Sequence, residues 1–326
     1  VIIVTGATGF IGSNILADLN AAGRSDIILV DDLGTGAKWK NIAKRRFQDI
    51  VLPSELDSLL RKLSGADAVY HMGANSSTTA TDGDAILLGN FRASKSLWEW
   101  CSGTGTPLIY ASSAATYGDG AAGFVDDQAL DALDALRPLN LYGWSKHAFD
   151  KWAMAQSTAG SAPPQWCGLK FFNVYGPNEN HKGDMRSLVA KNTAAVAARQ
   201  PIKLFKSHRG DFADGQQLRD FVYVKDCTRV MLWLAGQPQI SGIFNLGTGL
   251  ARSFVDLVRS IGGALNESVD IQFIDMPESI RANYQYFTQA QMTKLQNAGY
   301  SGAFFSLEDG VADYVRHYLT QPDIYR

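Results

Sequence analysis

The chain has 326 residues, 46% of them hydrophobic, with 30 Lys+Arg against 32 Asp+Glu and a formal net charge of −2. That length fills one large domain or two interlocked ones, and the balanced charge gives no electrostatic case for nucleic acid or an anionic membrane. Cys101, Cys167 and Cys227 are odd in number and widely spaced, which argues against a disulfide framework or a zinc site and for buried thiols. No apolar run approaches the roughly 20 residues of a membrane helix.

Val1-Ile2-Ile3-Val4 is a β-branched run that reads as a buried strand. No charged leader precedes it, so no secretory signal is expected and a cytoplasmic location is. Gly6-Ala7-Thr8-Gly9-Phe10-Ile11-Gly12 follows, and an apolar-periodic helix runs from about Ile11 to Ala22. Glycines between a strand and a helix are the context of a dinucleotide loop. Gly6 turns the chain, Gly9 lets the backbone approach a pyrophosphate, and Gly12 allows close packing of helix on strand. The helix N-terminus, opened by Phe10 and Ile11, offers N–H groups and partial positive charge to phosphates. Ile27 to Val30 is the second strand and ends at Asp31-Asp32. A carboxylate there bonds the adenosine ribose hydroxyls, which favours NAD. Lys38 and Lys40 lie within reach of the same ribose and would favour NADP by meeting a 2′-phosphate.

Ala66–His71, Pro107–Ala111 and Cys167–Phe172 read as further strands with helical stretches between, including Asn90 to Cys101. Strands alternating with helices predict a parallel sheet of the Rossmann type, doubly wound, in the α/β class. Beyond Val174 the rhythm changes. Ser187 to Arg199 reads as one Ala-rich helix, His208 to Gln217 as a polar surface loop, and Arg219–Val224 and Gly242–Leu246 as strands. The division expected is residues 1–174 with about 219–247 as the dinucleotide-binding domain. Residues 175–218 with 248–326 form a smaller α/β domain over the sheet's carboxyl edge, where ligands bind in such sheets.

Of twelve tyrosines, only Tyr142 has a lysine four residues on, Lys146. Four residues along a helix put both side chains on one face. A phenol titrating near 10 is a poor base at neutral pH, and a neighbouring ammonium makes its phenolate accessible. Ser112 or Ser113, leaving a strand at the carboxyl edge, would bond the reacting oxygen and steady the phenol. His147 and His71 read as structural. No helix carries paired His or carboxylates at ligand spacing, so no metal is expected.

TGATGFIG, SSAATYG, YGWSK, FFNVYGP and RDFVYV together resemble the extended short-chain dehydrogenase/reductases that act on nucleotide sugars, over nearly the whole chain. The resemblance implies a triad of Ser113, Tyr142 and Lys146, a cofactor set that includes Asn90, and substrate contacts at Asn173 and Arg219. An arginine fork suits a diphosphate. Within that family Ser76-Ser77-Thr78-Thr79, Asn178 to Gly183, Asn245 to Gly249 and Tyr284 to Ala290 resemble the ADP-heptose 6-epimerases. That likeness implies an isomerase acting through a transient 6″-ketone in lipopolysaccharide core biosynthesis, with NADP as cofactor and NAD as the alternative, in a homo-oligomer of pentameric form. Ser76, Ser77, His181 and Tyr284 would join the substrate contacts. A 6-epimerase must handle the C6″ oxygen in two positions, so two acid/base groups are expected, Tyr142 and Lys182.

Departures from the pattern are Met72 in a usual HEGA, Asn75 for a usual cysteine, Asp32 for a usual asparagine, and a longer loop at His208–Gln217. Asp32 adds negative charge beside the expected 2′-phosphate. Ala114-Ala115 stand where a 4,6-dehydratase carries Asp-Glu, which argues against dehydration. A UDP-hexose 4-epimerase would share the triad but has no call on Lys182. A non-catalytic dinucleotide sensor would have no use for the triad.

Overall fold

Four-residue β-branched runs such as Ile2-Ile3-Val4-Thr5 and Ile27-Ile28-Leu29-Val30 are buried along their whole length, as strands covered by helices on both faces must be. The computed structural model describes residues 1–281 and 284–326, the side chains of 279 and 280 aside. In chain order its strands are β1 (Ile2–Thr5), β2 (Ile27–Val30), β3 (Asp49–Val51), β4 (Ala68–His71), β5 (Leu108–Ser113), β6 (Trp166–Phe171), β7 (Asn173–Tyr175), β8 (Ile202–Phe205), β9 (Leu218–Tyr223), β10 (Gly242–Leu246), β11 (Ala251–Ser253) and β12 (Ile271–Ile274).

Seven of them form one sheet in the order β3-β2-β1-β4-β5-β6-β10, with every neighbouring pair parallel. The fold is therefore α/β with a doubly wound, Rossmann-type sheet, as the alternation predicts. Strand order reverses between β1 and β4, which opens a crevice at their carboxyl ends. There the backbone of Gly6 lies so close to Gly73 that a Cβ on Gly6 would sit 2.6 Å from the Gly73 nitrogen.

Helix Leu141–Thr158 packs on this sheet through Phe149, whose ring meets Tyr110 of β5 edge-on at 4.9 Å. Trp98 of helix Ala93–Thr104 meets Phe149 and Trp152 of the same helix at 6.2 and 5.9 Å. Aromatic contacts at these spacings add to the burial energy.

β9 lies outside the main sheet, between β7, to which it is parallel, and β11, to which it is antiparallel. β8 pairs with β12. Around them helices Leu188–Ala197, Phe254–Leu265 and Leu307–Tyr314 enclose a second apolar core, to which Phe10 of the glycine-rich loop also belongs. Among the described residues no helix is long and apolar enough to cross a membrane.

Candidate active site

The glycine-rich loop has the shape its sequence requires. Gly6 adopts φ +63°, and a Cβ on Gly12 would stand 2.0 Å from the Gly6 carbonyl oxygen. A Cβ on Gly9 would meet only that same carbonyl, at 3.1 Å, so its outer side faces open crevice. Helix Phe10–Ala21 starts at Gly9 with no side-chain cap, which leaves its first N–H groups to a ligand. Asp31, buried at the end of β2, accepts from Thr8 N at 2.8 Å, Thr8 Oγ1 at 2.7 Å and Lys38 Nζ at 2.7 Å. Lys38 also donates to the Asp32 carbonyl at 2.8 Å and stands 3.5 Å from the exposed Asp32 carboxylate. This cradle fits a dinucleotide: a backbone stripped of Cβ atoms, a free helix start, and a carboxylate with a cation at the ribose end.

Across the crevice a hydrogen-bond chain fixes the wall. Gly73 N donates to Thr5 Oγ1 (3.0 Å), Thr5 meets His71 Nδ1 (2.6 Å), His71 Nε2 meets Ser94 Oγ (2.8 Å), and Ser94 Oγ donates to the Asn90 carbonyl (2.5 Å). Since Ser94 spends its proton on Asn90, His71 must donate from Nε2 and accept at Nδ1. Burial, and next the Lys146 charge, pull its ring down to about 3. Asn90 sits in a π-helical turn, Leu87–Arg92, that interrupts the helical stretch ending at Thr104. Its amide holds both polar atoms of the Asn75 backbone, at 2.8 and 3.0 Å, and donates to Ser145 Oγ at 2.9 Å. Asn90 thereby joins the loop carrying Ser76 and Ser77 to the helix carrying Tyr142.

That helix is capped by Asn140, whose Oδ1 accepts from Gly143 N at 2.8 Å. Gly143 permits the contact that follows: a Cβ there would lie 2.7 Å from the Ala115 carbonyl oxygen. The catalytic helix thus rests directly on the turn Ala114–Tyr117, which Ser113 caps by accepting from Ala115 N at 3.1 Å. Hydrogen bonding decides between the two serines. Ser112 is spent on Asp150, donating to its Oδ2 at 2.6 Å two turns beyond Tyr142 along that helix, whereas Ser113 bonds Tyr142. Burial raises the Tyr142 phenol above its usual 10, a hydrogen bond with Ser113 pulls it down, and the Asp150 charge pushes it up. Lys146 is buried, and burial brings its ammonium down to about 8 against the opposing pull of Asp150.

Lys182 is half-buried in a tight turn, Asn180–Met185, with its Nζ 5.3 Å over the Phe10 ring. Burial lowers its ammonium and Glu179 raises it. The structure places it beside the glycine-rich loop. His181 lies farther along the same loop: its Nδ1 meets Asn41 Nδ2 at 3.1 Å, and Asn41 also donates to the Thr8 carbonyl at 2.8 Å. Burial first, then Lys38 and Lys182, lower its ring to about 4. His181 therefore stands at the ribose end of the cradle, on the cofactor side of the site.

Arg219 is buried between the rings of Tyr284 (5.2 Å) and Phe254 (5.6 Å). It donates to the carbonyls of Leu218, at 2.8 Å, and Gln285, which leaves further guanidinium donors for an anion. Asn173, exposed at the start of β7, accepts from Thr288 at 3.4 Å. Asp220 draws these segments together, accepting from Thr248 N and Oγ1 (both 2.7 Å) and from Gly249 N and Ala290 N (both 2.9 Å). The loop His208–Gln217 folds onto Tyr286, whose ring meets that of Tyr284 at 5.5 Å: His208 N donates to the Tyr286 hydroxyl at 2.9 Å, and Arg209 lies 5.0 Å from that ring.

Sequence reading missed Thr8, Asn41, Asp150 and Asp220. Of these, Asp150 alone left a usable signal, the four-residue step from Lys146.

A family model described as the NAD dependent epimerase/dehydratase family matches residues 2–247. The chain is 48% identical over 326 residues to the ADP-L-glycero-D-manno-heptose-6-epimerase of Nitratidesulfovibrio vulgaris (strain DP4), with 98% of each chain covered. It is 46% identical over 333 residues to the enzyme of the same name from Fusobacterium nucleatum subsp. nucleatum, with 99% of each covered. The crystal structure of the Helicobacter pylori ADP-L-glycero-D-manno-heptose-6-epimerase is similar at a TM-score of 0.80 and 28% identity, covering 97% of this chain and 95% of that one.

Proposed function

The chain belongs to the NAD dependent epimerase/dehydratase family, a family of nicotinamide-cofactor enzymes, and from that premise we propose that it inverts C6″ of an ADP-heptose. It interconverts ADP-D-glycero-D-manno-heptose and ADP-L-glycero-D-manno-heptose through a 6″-ketone. The observation that carries the reading is Tyr142 and Lys146 on a helix that rests on the turn capped by Ser113 and is tied through Ser145 and Asn90 to the loop at Asn75. The heptose itself rests on likeness to enzymes of that name over nearly the full chain.

The bound nicotinamide ring supplies the hydride acceptor and donor. Tyr142 removes the C6″ hydroxyl proton, and Ser113 bonds that oxygen and steadies the phenol. Lys146 holds the nicotinamide ribose and lends its charge to the phenolate. When the ketone has presented its other face, the oxygen lies elsewhere, and Lys182, beside the glycine-rich loop, serves it as the second acid/base group. Arg219 and Asn173 hold the diphosphate, with Tyr284 against the nucleotide, and Ser76 and Ser77 line the sugar end. The dinucleotide domain is residues 1–174 with about 219–247, its Asn173 and Arg219 reaching the sugar nucleotide from strands outside the main sheet, and about 175–218 with 248–326 form the rest of the sugar-nucleotide side.

NADP is the cofactor we favour. The Asp31 carboxylate is already bonded by Thr8 and paired with Lys38, so Lys38 offsets its repulsion of a 2′-phosphate. The product would be a precursor of the lipopolysaccharide core, made in the cytoplasm by a homo-oligomer.

The test is incubation with ADP-D-glycero-D-manno-heptose. Both C6″ epimers should accumulate with no net reduction of cofactor, because the hydride returns to the carbon it left. Tyr142→Phe should lower kcat by roughly 10² to 10⁴. No inversion of the heptose, with turnover of a UDP-hexose instead, would overturn the substrate assignment.

A further inference from the structure

Tyr142, Lys146 and Asp150 follow one another at four-residue steps along helix Leu141–Thr158, so all three share a face. Asp150 has no exposed surface, and neither has its partner Lys170 on β6, 2.8 Å away. Tyr110 donates to Asp150 Oδ1 at 3.0 Å and Ser112 to Oδ2 at 2.6 Å. Lys170 donates also to Thr116 Oγ1 at 2.7 Å and lies 5.0 Å over the Tyr117 ring. Gly168 makes room for this, since a Cβ there would lie 2.3 Å from the Tyr110 hydroxyl oxygen. A buried ion pair is seldom a net gain in stability over apolar residues of equal volume. Here its bonds run to β5, to the turn after it and to β6, and Ser112 directly precedes Ser113.

We propose that Asp150, held by Lys170, is a positioning residue of the reaction: it fixes the strand and turn bearing Ser113 against the helix bearing Tyr142 and Lys146, and it sets the acidic end of a buried ion pair behind them. The proposal rests on the reading of Tyr142 and Lys146 as the reacting pair. Asp150 supports the ammonium of Lys146 against the burial that would discharge it, and its charge adds to the burial that raises the Tyr142 phenol. Other titratable groups around Tyr142 and Lys146 are His71 from β4, Tyr110 from β5, Tyr117 at the end of the turn and Asp126 beyond it, Cys167 and Lys170 from β6, and His147 on the helix itself.

The experiment is the pH profile of epimerisation in wild type, Asp150→Asn and Lys170→Arg, with melting temperatures alongside. In Asp150→Asn both limbs of the profile should move to lower pH by roughly half to one unit, with kcat reduced and KM held. Lys170→Arg, which keeps the charge, should reproduce the wild-type profile. An Asp150→Asn profile that superimposes on wild type while only the melting temperature falls would overturn the proposal. Should that variant not fold, Asp150→Asn/Lys170→Met takes its place: the same downward displacement supports the proposal and an unmoved profile overturns it. If the wild type inverts no heptose, the functional reading fails separately. The phenolate absorbance of Tyr142, taken as the difference from Tyr142→Phe, then reads the same downward shift without turnover.

Discussion

At His71 a ring that ordinarily titrates near 6.5 is brought to about 3, by burial first and the Lys146 charge second. The unfolded chain therefore binds a proton between those two values that the folded chain refuses. Stability is highest above pH 6.5 and is lost as pH falls through the window, by several kcal/mol at most. Urea midpoints measured between pH 7 and 4 should fall steeply in wild type and more gently in His71→Gln, which has no ring to charge. Equal slopes would mean that other groups carry the acid sensitivity. Tyr142 and Lys146 were legible in the sequence because their relation is local, one helical step. His71 was legible as a strand end but not as a donor, because its tautomer is set by Thr5 and Ser94, residues 66 and 23 positions away. The choice between Ser112 and Ser113 was likewise open until the fold spent Ser112 on Asp150 and left Ser113 to Tyr142.

The helix Leu141–Thr158 is placed by two residues that do no chemistry. Asn140→Ala removes the cap and should cost about 1 kcal/mol of stability, read as a lower melting temperature with nearly unchanged kcat. Gly143→Val should do the reverse. Its side chain meets the Ala115 carbonyl, so the helix must back away from Ser113, and a displacement of that order lowers kcat about a hundredfold. If kcat survives Gly143→Val, the contact between helix and turn does not set the site. Most elements of the main sheet could be read from short apolar runs. Asp49–Val51 in that sheet and Asn173–Tyr175 outside it could not: each has three residues, too few to display a period. The π-helical turn at Leu87–Arg92 was invisible for another reason. Its apolar spacing is that of a helix, and only Asn90's bonds to Asn75 and Ser145 make the extra residue worthwhile.

The molecule has two apolar cores, one around the seven-stranded sheet and one beneath β8 and β9. The second half was the less legible in sequence because its strands are short and its pairings distant, as with Arg219 on β9 facing Arg252 on β11. Asp220 shows how such a half is assembled: one carboxylate gathers the turn at Thr248–Gly249 and the chain at Ala290 beside Arg219. The cores meet at Ile11 and Val174, which pack against both, and Phe10, which opens the helix of the glycine-rich loop beside Ile11, belongs to the second core. A dinucleotide seated on that loop would rest against a helix start anchored in the other half. It should therefore be exchanged slowly, surviving many turnovers and accompanying the protein through purification, as a prosthetic group does. Phe10→Ala should accelerate its replacement by labelled cofactor at least tenfold, on the order of 1.4 kcal/mol off the escape barrier. A reaction that returns every hydride to its source needs just such a lodger, recruited once and rarely renewed.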